Sequence, residues 1–108
     1  MGYYVLKKSG EQFMFNLKAD NHEIILTSER YASKQGAKSG ITSCQAHSPH
    51  DVYYTKLTGR DGSPYFTLKA SNGEVIGTSE MYSSTTARDN GIASCKRNGP
   101  TATIVDQA

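Results

Sequence analysis

The chain is one unit written twice. Residues 3–49 align with residues 54–100 without a gap, at a constant offset of 51. The identities cluster at Phe15/Phe66, Leu17-Lys18-Ala19/Leu68-Lys69-Ala70, Asn21/Asn72, Glu23/Glu74, Ile25/Ile76, Thr27-Ser28-Glu29/Thr78-Ser79-Glu80, Tyr31/Tyr82, Gly40-Ile41/Gly91-Ile92, Ser43-Cys44/Ser94-Cys95 and Pro49/Pro100. A unit this short cannot bury its apolar face alone, so repetition dictates that the copies pack on each other. It also bears on function. A residue present in both copies usually holds a shared fold, whereas a catalytic set would more often survive in one copy only.

At 108 residues the chain is one domain's worth. Each half is at the edge of independent stability, because so short a segment buries only roughly 60% of its unfolded surface. The expected organisation is a first repeat at 1–50 and a second at 51–108, packed as one compact domain about a pseudo-twofold axis. The apolar fraction is 36%, yet the periodicity is clear, which excludes a disordered chain. No apolar run reaches the length of about 18 residues that a membrane span needs. Met1-Gly2-Tyr3-Tyr4-Val5-Leu6 lacks the basic start and apolar stretch of a signal peptide, and Leu6 stands where myristoylation wants Ser or Thr. A soluble cytoplasmic protein with no membrane partner is expected, as a monomer or weak homodimer. The net charge of +2, from 12 basic and 10 acidic residues, neither predicts nor excludes a polyanionic partner.

Each repeat reads as three strands and a helix. Strand one is Tyr3–Lys8, repeated as Val52–Thr58, and turn residues follow it. In strand two Phe13, Phe15, Leu17 and Ala19 alternate with Met14, Asn16 and Lys18. Asn72-Gly73 predicts a two-residue hairpin turn, because glycine and asparagine accept the positive φ it requires. That turn pairs Ala70 with Val75 and Lys69 with Ile76, which sets Phe66, Leu68, Ala70 and Val75 on the core face. Thr67, Lys69, Glu74, Ile76 and Thr78 then share the other face. On this register Lys69 lies diagonal to Glu74, and Lys18 to Glu23. The four form the candidate binding face, the alternative being simple surface pairing.

Strand three is Glu23–Thr27, repeated as Glu74–Thr78. Ser33 and Ser84 are then placed to cap helices that run to about Gln45 and Lys96. Gly36/Ala87, Gly40/Gly91, Ile41/Ile92 and Cys44/Cys95 form one helical stripe, and glycine kept inside a helix implies close approach to a neighbour. Pro49 and Pro100 stop the helices. Thr101–Val105 reads as a closing strand, giving an α+β pattern β3-α-β3-α-β. Cys44 and Cys95 read as small buried hydrophobes; a bond between them would require the two helix ends to meet at the pseudo-dyad.

Leu-Lys-Ala-x-Asn-x-Glu-x-Ile-x-Thr-Ser-Glu-x-Tyr-x-Ser, followed by Gly-Ile-x-Ser, occurs in both copies and resembles the YegP-like family of uncharacterised bacterial proteins. The resemblance covers nearly the whole chain. It implies a tandem β3-α-β fold in an α+β protein, and it brings no activity, cofactor or catalytic residue. His22 departs from the usual turn glycine, and a cysteine follows Gly-Ile-x-Ser in both copies.

Chemistry-bearing patterns are sparse. Cys44-x-x-His47-x-x-His50 supplies sulfur and nitrogen donors suited to zinc, but its spacing matches no standard site and the second copy has Cys95, Asn98 and Thr101 instead. No nucleophile elbow, His-Glu-x-x-His, phosphate loop or dinucleotide fingerprint is present. No cofactor is called for. Seven tyrosines, several on the strands beside Lys7, Lys8, Lys18 and Lys69, could stack nucleic-acid bases or pack the sheet margins. The expectation is a small non-catalytic binding or interaction module of unknown partner. The alternatives are a nucleic-acid-binding protein using the polar sheet face, and an enzyme or metal protein.

Overall fold

The computed structural model describes residues 2–108. Its elements are β1 Tyr3–Ser9, β2 Gln12–Lys18, β3 Ile24–Ser28, α1 Lys34–His47, β4 Tyr54–Thr58, β5 Pro64–Lys69, β6 Val75–Thr78, α2 Thr85–Asn98 and β7 Thr103–Asp106. The seven strands form one mixed sheet in the order β4-β5-β6-β3-β2-β1-β7. Every pairing is antiparallel except β1 with β7. The chain is thus an α+β protein of two helices on a mixed sheet. The two repeats meet where β3 pairs with β6, Thr27 opposite Thr78.

Both helices cover one face of the sheet. Tyr4, Leu6, Phe15, Leu17 and Leu26 from the first repeat, with Phe66 and Leu68 from the second, join Ile41, Cys44, Ile92 and Cys95 of the helices in a single core. The helices start where expected: Ser33 Oγ accepts from Gly36 N–H and Ser84 Oγ from Ala87 N–H, each at 3.0 Å. They run two residues further than Gln45 and Lys96 suggest, ending at His47 and Asn98 with Ser48 and Gly99 as C-caps. A Cβ on Gly40 would meet the Tyr31 ring, and one on Gly91 the Tyr82 ring. The helix glycines therefore admit a tyrosine between helix and sheet.

Three expectations of register change. First, the repeats do not align without a gap. Tyr4 pairs with Leu17 and Tyr54 with Leu68, so the first strands correspond at an offset of 50. Between equivalent positions, Ser9 to Gln12 and Gly59 to Ser63, the second copy holds one more residue. Second, Val52 and Tyr53 belong to a 3-10 turn, Asp51–Tyr53, and not to the strand. Third, the hairpin loops have three residues. Ala70 N–H donates to Glu74 C=O and Gly73 N–H to Ala70 C=O, with Gly73 at φ +87°. Ala19, Glu23 and His22 repeat this arrangement, His22 at φ +70°. The longer loop is a type I turn plus one left-handed residue, which inserts a bulge in the returning strand. Lys69 consequently pairs with Val75, and Ile76 turns into the core at 4% exposure.

The face away from the helices, the open face, carries no helix, although Val5, Met14, Asn16 and Thr67 on it are buried. One register line crosses it, Val105, Val5, Asn16, Thr27, Thr78, Thr67 and Thr55. No helix is long and apolar enough to cross a membrane among the described residues.

Candidate binding grooves at the repeat junction

The loop register decides which side of the sheet each charged residue occupies. Lys18 and Lys69 follow Asn16 and Thr67 on the open face. Glu23 and Glu74 pair with Ala19 and Ala70 through the loop and lie toward the helices. The four residues therefore do not make one surface, and no ion pair joins Lys18 to Glu23 or Lys69 to Glu74 among the described residues. The sequence alone assigned them together because a two-residue turn and a three-residue turn containing Asn-Gly differ by one register step.

Glu23 and Glu74 instead enter two equivalent grooves. The first, of about 670 Å3, lies between the β2–β3 hairpin and α2, with Ala19, Asn21, Glu23, Ile24 and Ile25 on one wall and Tyr82, Ala87, Asn90, Gly91 and Ser94 on the other. Glu80 and Met81 complete its rim. The second, of about 220 Å3, lies between the β5–β6 hairpin and α1, and Ala70, Asn72, Glu74, Ile76, Tyr31, Gly40 and Ser43 line it at the matching positions. Each groove takes its hairpin from one repeat and its helix from the other, because α1 reaches over β5 and β6 while α2 reaches over β3.

The local chemistry repeats as well. Asn21 Oδ1 accepts from Glu23 N–H at 3.1 Å, and Asn72 Oδ1 from Glu74 N–H at 3.0 Å, so each asparagine shapes its loop and holds the glutamate on the rim. Tyr31 lies parallel to Phe15 with ring centroids 6.4 Å apart, and Tyr82 parallel to Phe66 at 6.3 Å. Burial raises both tyrosine pKa values, and Glu23 and Glu80 add to the rise at Tyr82. The first groove thus sets two exposed carboxylates over an apolar floor.

The grooves differ in width and in how their tyrosines are held. Tyr31 exchanges two backbone hydrogen bonds with Phe13, whereas Tyr82 only donates, to Pro64 C=O, because proline has no N–H to return.

The open face has a different character. Its strand positions carry Lys7, Lys18 and Lys69 and no carboxylate. Asn16 is 2% and Thr67 8% exposed, and Asn16 Oδ1 and Thr67 Oγ1 have no hydrogen-bond partner. They are the same position of the two repeats.

Cys44, His47 and His50 do not converge. Cys44 is fully buried in the core. His47 bonds Ser43 C=O through Nδ1 at 2.8 Å and accepts the Ser71 N–H at Nε2 at 3.0 Å, which fixes its neutral Nδ1–H tautomer as a structural tie. No group of three His, Cys, Asp or Glu side chains suited to a metal occurs among the described residues. The grooves themselves escaped sequence reading, although the signal was present: identities that no single repeat needs for its own core.

The model of a family described as a domain of unknown function, DUF1508, matches residues 8–54 and again 60–106. A UPF0339 protein of Bordetella pertussis is 63% identical over 106 residues, covering 98% of this chain and 96% of that one. The solution structure of a UPF0339 protein from Shewanella oneidensis superposes with a TM-score of 0.91 at 56% identity, covering 97% of this chain and 90% of that one. That of YegP from Escherichia coli, a protein of unknown function, gives 0.92 at 48%, covering 98% and 92%.

Proposed function

The chain belongs to the uncharacterised family built from tandem DUF1508 domains, and from that premise we propose that it is a small non-catalytic binding module whose ligand sits in the two inter-repeat grooves. One observation carries the reading. Residues identical in both copies converge on these grooves, Asn21/Asn72, Glu23/Glu74, Tyr31/Tyr82 and Ser43/Ser94, and among the described residues the Glu23 and Glu74 carboxylates make no hydrogen bond or ion pair within either copy. On this reading residues 1–50 and 51–108 are the repeats of one cytoplasmic domain, in the pattern β3-α-β3-α-β, related by a pseudo-twofold axis between β3 and β6. Carboxylates above an apolar floor favour a ligand that joins a cationic group to an apolar one, such as a lysine or arginine within an apolar peptide segment.

Titration with short peptides of that composition, followed by amide chemical shifts, tests the reading. Shifts at Asn21, Glu23 and Gly91, with weaker ones at Asn72, Glu74 and Gly40, support it. They should vanish in the Glu23→Gln, Glu80→Gln variant. Shifts confined to other surfaces, or none at millimolar peptide, sink it.

A second reading rests on the other side of the sheet. Three lysines without a carboxylate, and two buried oxygens without partners, favour a single-stranded nucleic acid on the open face. It predicts oligonucleotide binding that weakens as salt rises and is lost in Lys18→Glu, Lys69→Glu, while the grooves stay unperturbed.

A further inference from the structure

The narrower groove is lined by the smaller side chains. Gly36, Ser39 and Val75 of the second groove stand where the first has Ala87, Asn90 and Ile24, yet its volume is about 220 Å3 against about 670 Å3. Bulk in the lining therefore does not fill it; α1 and the β5–β6 hairpin stand nearer to each other. One side chain joins the two directly. His47, in the last turn of α1, accepts the Ser71 N–H at Nε2, 3.0 Å away, while its Nδ1–H donates to Ser43 C=O at 2.8 Å. Ser43 lines the groove, and Ser71 lies between the lining residues Ala70 and Asn72, so the bond spans the groove's end.

The other copy makes the same pair of bonds with a different group. Asn98 is the counterpart of His47. Its Nδ2 donates to Ser94 C=O at 2.9 Å, and its Oδ1 accepts the Gly2 N–H at 2.9 Å. Gly2 precedes β1 and belongs to no hairpin. A carboxamide takes up no proton near neutral pH, whereas histidine ordinarily does so between about pH 5 and pH 8.

Protonation reverses one of the two His47 bonds. The neutral ring presents a hydrogen at Nδ1 and a lone pair at Nε2; the imidazolium presents a hydrogen at both. Nδ1–H keeps Ser43 C=O, but Nε2–H then faces the Ser71 N–H, donor against donor, and that bond is lost. The hairpin tip keeps its own bonds, Ala70 N–H to Glu74 C=O and Glu74 N–H to Asn72 Oδ1, so it moves as a unit. The titratable groups on the elements around the ring are Tyr53, whose ring edge meets it with centroids 4.6 Å apart, His50, which meets Tyr53 at 6.1 Å, the buried Cys44 thiol on α1, and Lys69 and Glu74 on the hairpin. Asp51, beside Tyr53, is engaged by Lys96 at 2.6 Å.

We propose that the His47–Ser71 bond is a latch that holds the second groove narrow, and that proton uptake by His47 releases it and lets the β5–β6 hairpin move away from α1. The latch rests on the groove reading only for what the wider groove admits.

The test follows the intact protein from about pH 8 to about pH 5 by the His47 ring-nitrogen shifts, amide shifts and hydrogen exchange. Protection of the Ser71 N–H, relative to an unstructured chain at each pH, should fall about two- to tenfold as His47 gains its proton, the range that one lost hydrogen bond allows. Gly40, Asn72 and Glu74 should shift along the same curve. His47→Gln, which keeps an acceptor at similar reach and does not titrate, should abolish the response. His47→Ala should show the released state already at pH 8. In that variant no imidazolium repels a cationic ligand, so the cationic apolar peptides should bind the second groove about two- to tenfold tighter. Peptides that shift neither groove sink the groove reading and leave the latch to the Ser71 response. Constant Ser71 protection through the His47 titration, a response that persists in His47→Gln, or Gly40, Asn72 and Glu74 unmoved as Ser71 is released each overturn the latch. The pH course of the unaltered protein decides the matter even if a variant folds poorly.

Discussion

Ser48 and Gly99 are the same position in the two copies, and they touch. Each caps its helix, donating its N–H to the Cys44 or Cys95 carbonyl at 2.9 Å. A Cβ built on Gly99 would collide with the Ser48 hydroxymethyl group. Their carbonyls accept across the repeats: Tyr4 Oη donates to Gly99 C=O at 2.8 Å, and Tyr54 Oη to Ser48 C=O at 2.6 Å. The helix ends do meet, Ser48 against Gly99, yet Cys44 and Cys95 remain free thiols. Serine at both positions would collide here, because the contact has room for one side chain.

That asymmetry is testable by exchange. Gly99→Ser should destabilise the protein by about 1–3 kcal/mol, the usual cost of overpacking a tight core. Adding Ser48→Gly should recover much of the loss. Both positions have right-handed φ, −58° and −53°, so neither swap strains the backbone. Urea unfolding of the single and double variants checks it, and a double no better than Gly99→Ser would contradict the shared-space account.

Ser28 and Ser79 explain part of the repeated Thr-Ser-Glu motif. Ser28 Oγ accepts the buried Phe15 N–H at 2.9 Å and donates to Glu29 C=O; Ser79 Oγ does the same between Phe66 and Glu80. Replacing either by alanine leaves a buried amide without an acceptor, which costs ~1–3 kcal/mol. Ser28→Ala and Ser79→Ala should therefore lower stability by similar amounts, while Ser43→Ala, on a groove wall, should change it by much less.

The buried thiols make stability fall in alkali. Burial pushes the Cys44 thiol up to about 12 and the Cys95 thiol up to about 11, from an ordinary 9.0. The unfolded chain thus releases these protons first as pH rises. The stabilisation is complete below about pH 9 and drains away toward pH 11–12, at up to about 1.4 kcal/mol per pH unit for each thiol. Burial also raises the Tyr4 and Tyr54 hydroxyls, in the same direction. Urea midpoints should hold from pH 8 to about pH 9 and decline from there to pH 11. Native protein at pH 8 should resist thiol alkylation until it is unfolded.

How much of this was legible in the sequence follows from which interactions are local. Ser33 and Ser84, the alternation in β2 and the helix stripe are set within a few residues, and the structure has them. The hairpin register was not, because Asn72-Gly73 fits a two-residue loop or the end of a three-residue one, and only the bulge at Ile76 tells them apart. The gap between Tyr4 and Tyr54 was hidden because Tyr3 also aligns with Tyr54. The grooves needed knowledge of the crossing, each helix resting on its own repeat's second strand and reaching over the hairpin of the other repeat, which no pattern within one copy encodes.

The two hairpin loops make a matched pair for weighing backbone strain against a side-chain contact. Gly73 adopts φ +87° with open space around it, so Gly73→Ala meets no atom and should cost about 1–2 kcal/mol through the left-handed backbone alone.

His22 occupies the same conformation in the first copy, at φ +70°, and already bears that cost. Against it stand an exposed hydrogen bond between Tyr3 Oη and His22 Nδ1 at 2.7 Å and an edge contact with the Tyr3 ring, centroids 5.8 Å apart. Such a bond contributes ~0.5–1.5 kcal/mol, less when exposed, so the backbone effect should win. His22→Gly is therefore expected to stabilise slightly, by up to about 1 kcal/mol, and Tyr3→Phe to have little effect in that background. If His22→Gly instead destabilises, the Tyr3 contact outweighs the strain. A double-mutant cycle over His22→Gly and Tyr3→Phe then measures that contact, since its coupling energy is the part of the effect that belongs to the pair.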